Sequence, residues 1–149
     1  LALEDQARRT LDQIAFAVMG ADRDTLFPDP NAPNFDDTVE YQVSLGVENG
    51  AVVWGDPEEI SGANAQVVWS QNPGDPDERR VVWSNVVRPF LEGEIQNGTD
   101  DNQNGLIDEK GLNFTLQGNR VTIRLTLERA QPKGGVHTQS VETSVTLRN

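Results

Sequence analysis

Cysteine is absent from the 149 residues, which excludes disulfides, thiol catalysis and cysteine-bound metal. Histidine occurs once, at His137, in a glycine-rich turn region where a lone imidazole reads as a solvated residue. It completes no Ser/His/Asp set, and no nucleophile elbow is present. No glycine-rich phosphate loop occurs. Carboxylate neighbours such as Glu58-Glu59 are frequent, but chance pairs are expected in so acidic a chain, so a two-carboxylate hydrolase has little behind it. Basic residues are few, 12 Lys and Arg against 24 Asp and Glu, for a net charge of -12. With no basic stripe and a surface that repels phosphate, nucleic acid is excluded as the expected partner. No apolar run approaches the ~20 residues of a membrane span, and no signal peptide is read at the start.

What remains is a chain of 36% hydrophobic residues and mean hydropathy -0.55. That composition suits a folded, soluble domain. The expected organisation is a single domain, residues 1-149, with a helix at about 1-21, a loop at about 22-38 and a β-rich part at about 39-149. In the first stretch Leu3, Ala7, Leu11, Ile14, Val18 and Ala21 recur at steps of three and four, one narrow stripe at about 100° per residue. Glu4, Asp5, Arg8, Arg9, Asp12 and Gln13 lie off it. Phe16 and Met19 are also displaced from the stripe, and two readings stand for them: an edge contact with a loop, or an apolar contact with another molecule. The helix opens without a cap, so it is expected to continue upstream in a longer, processed protein.

Pro28, Pro30 and Pro33, among several Asp and Asn, keep helix and strand out of 22-38. Val39, Tyr41, Val43, Leu45 and Val47 alternate as one half-buried strand. Asn49-Gly50 marks a hairpin turn because both residues tolerate positive φ. Val-Val-Trp recurs at 52-54, 67-69 and 81-83, read as three successive strands of a meander. Trp54, Trp69 and Trp83 are either core and cross-strand packing or an aromatic platform. Pro89 forbids a long helix or a central strand through 86-94. Leu112 to Leu116 is a strand. Val121, Ile123, Leu125 and Leu127 pair with Val141, Thr143, Val145 and Leu147 as a closing hairpin.

The motif that carries chemistry is Asp100 to Glu109. Oxygen side chains at Asp100, Asn102 and Asn104, glycine at Gly105 and an acid at Asp108 match positions 1, 3, 5, 6 and 9 of an EF-hand-type calcium loop. Alternate residues of a tight loop point inward, and glycine permits the turn. The Leu106 carbonyl would add an oxygen. Position 12 is Gly111 where a bidentate Glu is expected, so Glu109 would stand in. All these donors are hard oxygens, which favours calcium over zinc. The other reading is an acidic Asn-Gly turn without an ion. Asn97-Gly98-Thr99 and Asn113-Phe114-Thr115 match the glycosylation pattern, which two chance matches would explain.

Three stretches together resemble type IV pilin-like proteins, in particular minor pseudopilins of type II secretion (J-type) and related minor pilins: QARRTLDQIAFAVMGADRDTLF, NGTDDNQNGLIDEKGLNFTL and GNRVTIRLTLERAQPKGGVHTQSVETSVTLRN. That resemblance implies an α+β, pilin-like fold, one long N-terminal amphipathic helix packed on antiparallel β-sheet. It implies a structural subunit of a filament, not an enzyme, that associates with other pilin-like subunits. It also implies an extracytoplasmic place, periplasm or cell surface, with anchoring to the inner membrane by an upstream helix absent here. A secreted calcium-dependent binding module is the alternative; a two-carboxylate hydrolase comes third.

Overall fold

The computed structural model describes residues 2-101, 103 and 109-147. Among them is one α-helix, α1 (Leu3–Met19), followed by ten strands: β1 (Asn34–Asp36), β2 (Thr38–Tyr41), β3 (Ser44–Glu48), β4 (Ala51–Trp54), β5 (Glu58–Ser61), β6 (Val67–Gln71), β7 (Arg79–Ser84), β8 (Leu112–Gln117), β9 (Arg120–Ala130) and β10 (Val136–Thr146). They form three antiparallel sheets, ordered β1-β8-β9-β10, β2-β5-β6-β7 and β3-β4.

This corrects the expected fold class. The protein is predominantly β, 46% strand against 14% helix, and not a pilin-like domain organised by a long helix. The helix has 17 residues, about 25 Å at ~1.5 Å per residue, and ends at Gly20, which caps it through the carbonyls of Ala17 and Val18. Its periodic stripe is real and packs mainly on β9 and β10 of the first sheet, with a smaller contact to β7 of the second. Leu3, Ala7, Leu11, Ile14, Val18 and Ala21 are all buried, in one core with Val121, Ile123, Leu125, Leu127, Val141 and Val145. The same core takes Val39, Tyr41, Ile60 and Val67 from the second sheet.

Other boundaries also shift. The 22-38 stretch contains a 3-10 turn (Arg23–Thr25), capped by the Asp22 carboxylate accepting from the Asp24 N–H at 2.8 Å, and the edge strand β1. The alternating run 39-47 is two strands in two different sheets, β2 and β3. The Asn49-Gly50 turn does join β3 to β4, with both residues at positive φ. The three Val-Val-Trp strands are not one meander. Only β6 and β7 are neighbours; β4 belongs to the β3-β4 pair, and β5 lies between in sequence and beside β6 in space. The segment after β7 is not a helix: Val87 bridges to Leu127 and Phe90 to Lys110, extending the β8 side of β9. The closing hairpin is in register from Val136 opposite Ala130 to Thr146 opposite Arg120.

Ile14 is fully buried at the centre of the helix stripe. Ile14→Ala is expected to cost about 2–5 kcal/mol, transfer energy plus cavity, read as a shift in the denaturant midpoint at unchanged slope. A loss under about 0.5 kcal/mol, typical of a surface substitution, would show that the helix does not seat in the core.

Candidate site at the acidic loop and the exposed faces

Of the expected calcium ligands, Asp100 and Glu109 are described; Asn102, Asn104, Leu106 and Asp108 lie outside the described residues. What the structure defines is how the ends of the loop are held. Glu94 is fully buried. Its Oε1 accepts the Asp101 N–H at 2.7 Å and its Oε2 accepts the Glu109 N–H at 3.1 Å. One carboxylate thus closes the stretch 101-109 at both ends. Charge-assisted bonds of this type are stronger than neutral ones. The Asp101 carboxylate in turn accepts the Ile95 N–H at 3.2 Å and the Asn97 amide at 3.0 Å. On the entry side Arg88 Nη1 donates to the carbonyls of Phe90 (2.8 Å) and Leu91 (2.6 Å), while its Nε lies 3.5 Å from Glu128.

Glu109 is fully buried and lies 4.0 Å from Arg124 Nη1. Gly111 explains the missing position-12 acid. A Cβ built there would come 1.7 Å from the Arg88 carbonyl oxygen, because the chain crosses that segment at close range, with the Gly111 N–H on the Pro89 carbonyl. No side chain fits, so an EF-hand Glu cannot stand at this position. Among the described residues no three acidic or histidine side chains gather as a metal-ligand group.

Glu92 and Glu109, on the two sides of the loop, lie against the outer face of the β9-β10 hairpin. There Arg124 Nε donates to Glu142 at 2.7 Å and Nη1 to the Thr115 hydroxyl at 3.0 Å; Ser140 donates to Glu92 at 2.7 Å and shares a hydrogen bond with Thr126 at 2.9 Å. Arg124, Glu142, Ser140, Thr126 and Glu92 line a groove of about 410 Å³ with Leu91. The set was missed in the sequence because its members alternate outward on two strands and meet a distant loop. Its serine hydroxyl donates to a carboxylate, and neither histidine nor lysine lines the groove. The buried pair Glu94 and Glu109 has no solvent-accessible surface, so it offers no substrate a two-carboxylate arrangement. His137 is exposed on β10 opposite Arg129. Asn113 is buried, which disqualifies it as a glycan acceptor in the folded protein.

The tryptophans separate into two sets. Trp69 and Trp83 stack, centroids 6.5 Å apart and 17° between planes. The Glu58 carboxylate accepts the Trp69 indole N–H at 2.8 Å and the Tyr41 hydroxyl at 3.0 Å. Burial, then the Glu58 charge, pushes the Tyr41 phenol well above its ordinary range. Trp54 sits apart on β4. In the same sheet as Glu58, Glu40 lies opposite Glu59; burial, then the charges of Glu40 and Glu78, raises the Glu59 carboxyl.

Among the exposed apolar side chains, two groups bear on association. The β3-β4 pair has no third strand among the described residues. Val47 pairs with Val52 and Trp54 follows Val52 at the two-residue period, so these three share one face; a register shift between Ser44 and Gly46 breaks the alternation at Leu45. Leu45 is 67% exposed and Val47 73%. On the helix Phe16 is 82% exposed among Asp5, Arg8, Arg9, Asp12 and Gln13; among the described residues no loop covers it, against the edge-contact reading. No helix is long and apolar enough to cross a membrane among the described residues.

The chain matches no family model, no curated protein and no solved structure. The resemblance to type IV pilins and minor pseudopilins is thereby corrected along with the fold: no pilin family matches, and the architecture is mostly β-sheet.

Gly111→Ala should destabilise the protein by more than about 2 kcal/mol, since backbone would have to move to admit the methyl group. Gly118→Ala, where a Cβ meets nothing within 4 Å but φ is +61°, isolates the conformational cost of about 1 kcal/mol. Equal midpoints for the two variants in chemical denaturation would contradict the close crossing at Arg88.

Proposed function

We propose that the protein is a non-enzymatic association domain that works outside the cytoplasm, binding a partner protein through the β3-β4 arm. The supporting observation is the arm itself: two strands with no third among the described residues, with Val47, Val52 and Trp54 on one face and Leu45 exposed at the bulge beside them. A two-stranded sheet is marginal by itself, and an exposed apolar sheet face in a chain of net charge -12 is what a docking surface requires. Residues 44-54 carry one charge, Glu48, so the electrostatic repulsion of the remaining surface is weakest there. Phe16 offers a second apolar point.

The acidic loop is assigned a structural calcium ion, with Asp100, Asn102 and Asn104 side chains, the Leu106 carbonyl and Asp108 as donors and Glu109 nearby. Its support is the spacing of the oxygens together with the closure at Glu94, which brings both ends of the loop to one point. Lacking the bidentate position-12 acid, the site belongs with the weaker class, about 10⁻⁴–10⁻³ M, which fills only in calcium-rich extracytoplasmic surroundings. The ion would offset like charges and stabilise the fold by linkage.

Two measurements check this reading. Asp100→Ala should lower the melting temperature in millimolar calcium and leave it unchanged in chelator; identical melting of the native protein in calcium and chelator would reduce the loop to a turn. For the arm, a photo-crosslinking residue in place of Val47 should capture one defined protein in the native host, and Leu45→Ser with Val52→Ser should abolish capture at unchanged melting temperature. Crosslinks that persist in that double variant would place the partner elsewhere.

A further inference from the structure

Beside the helix lies a cleft of about 190 Å³ lined by Gln6, Arg9, Thr10, Trp83, Ser84 and Asn85. It differs from the other clefts in chemistry. Glu92 and Glu142 line the groove on β9-β10, Asp5 and Asp12 the shallow face around Phe16, Glu59 and Glu78 a third, Asp24 and Asp29 a fourth. This one has no carboxylate, in a chain with 24. It holds instead an indole, two amides, two hydroxyls and one guanidinium. Among the described residues, the Trp83 indole N–H, the Asn85 amide and the Arg9 guanidinium have no hydrogen-bond or ion-pair partner within the protein. In the β9-β10 groove, by contrast, Arg124, Ser140, Thr126, Glu92 and Glu142 satisfy one another.

The indole is also held in place. Trp83 stacks on Trp69, whose N–H is tied to Glu58, which is tied to Tyr41 in the core. Arg79 lies 6.0 Å from the Trp69 ring centroid. A ring fixed by packing loses little freedom when a ligand stacks on it.

We infer that this cleft binds one neutral saccharide unit. The volume is below the ~300–1,000 Å³ of clefts that bury a drug-sized ligand, which leaves room for a single ring. An aromatic surface with amides and hydroxyls around it matches a ring with an apolar C–H face and a rim of hydroxyls, each both donor and acceptor. The single Arg9 is flanked on the helix by Asp5 and Asp12, so an anionic ring gains no net attraction. The site is separate from the β3-β4 arm and from the acidic loop, and its test is independent of both.

The probes are glucose, galactose and N-acetylglucosamine, each titrated to about 50 mM. For a ring of about a dozen heavy atoms at ordinary ligand efficiency, a Kd of about a millimolar is expected for at least one of them. Saturation-transfer signals should appear on the sugar, with amide shifts confined to residues 6-10 and 83-85. Trp83→Ala should abolish binding. Asn85→Ala, at an exposed position where folding is not at stake, should weaken it about two- to tenfold, the worth of one hydrogen bond. Trp54→Ala, on the arm, should leave it unchanged. Absence of binding by all three sugars at 50 mM overturns the inference; so does binding that Asn85→Ala leaves intact.

Discussion

The register of the β9-β10 hairpin is the constraint on which the rest depends. Eleven residues of each strand pair without interruption, and the side-chain period of two divides them between opposite faces. Val121, Ile123, Leu125, Leu127, Val141 and Val145 turn inward to the helix and the second sheet. Arg124, Thr126, Ser140 and Glu142 turn outward, to the chain that leads into and out of the acidic loop. A slip of one residue would exchange the two sets, exposing the core and burying the charges. The placement of Glu109 beside Arg124 and the burial of the helix stripe are two consequences of one register.

The elements legible in the sequence were those whose periodicity records a single burial interface. The helix stripe from Leu3 to Val18, the Asn49-Gly50 turn and the β9-β10 hairpin all carry such a record. β5 was invisible because Glu58, Glu59 and Ser61 surround its one core residue, Ile60, and because its polar residues are used internally, Glu58 by Trp69 and Tyr41. Sheet membership was not legible either. The alternation through 39-47 is continuous, yet β2 joins one sheet and β3 leaves to form another, a division made by tertiary pairing and not by local pattern. The fold class was misjudged for a related reason. A clear 3.6-residue stripe marks a helix but does not say how many sheets share the core with it, and order and texture along the chain led to a family that the mostly β architecture does not support.

At the acidic loop, spacing identified oxygen donors but not the group that organises their ends. Glu94 lies before the motif and acts through backbone N–H groups of Asp101 and Glu109, a role with no sequence signature. Gly111, a departure from the calcium-loop pattern, is a steric necessity of the crossing over Arg88. The acidity of the chain is thus unevenly used. Some carboxylates are internal hydrogen-bond acceptors, as at Glu58 and Glu94, while Glu59, opposite Glu40, is raised by burial and by the charges of Glu40 and Glu78, an effect that Arg80 only partly offsets.

β1 has a consequence for how the chain folds. It pairs with β8 through Phe35 opposite Thr115, so the second sheet and the arm are inserted between two neighbours of the first. β8, β9 and β10 follow one another through short turns and can associate through local contacts. β1 must wait for the intervening chain to compact, because closing so long a loop costs entropy before any ladder bond is gained. The expected order is the three-stranded β8-β9-β10 nucleus first, with the helix and β1, both distant in sequence, docking afterwards, and with folding in the millisecond-to-second range of domains dominated by distant pairings.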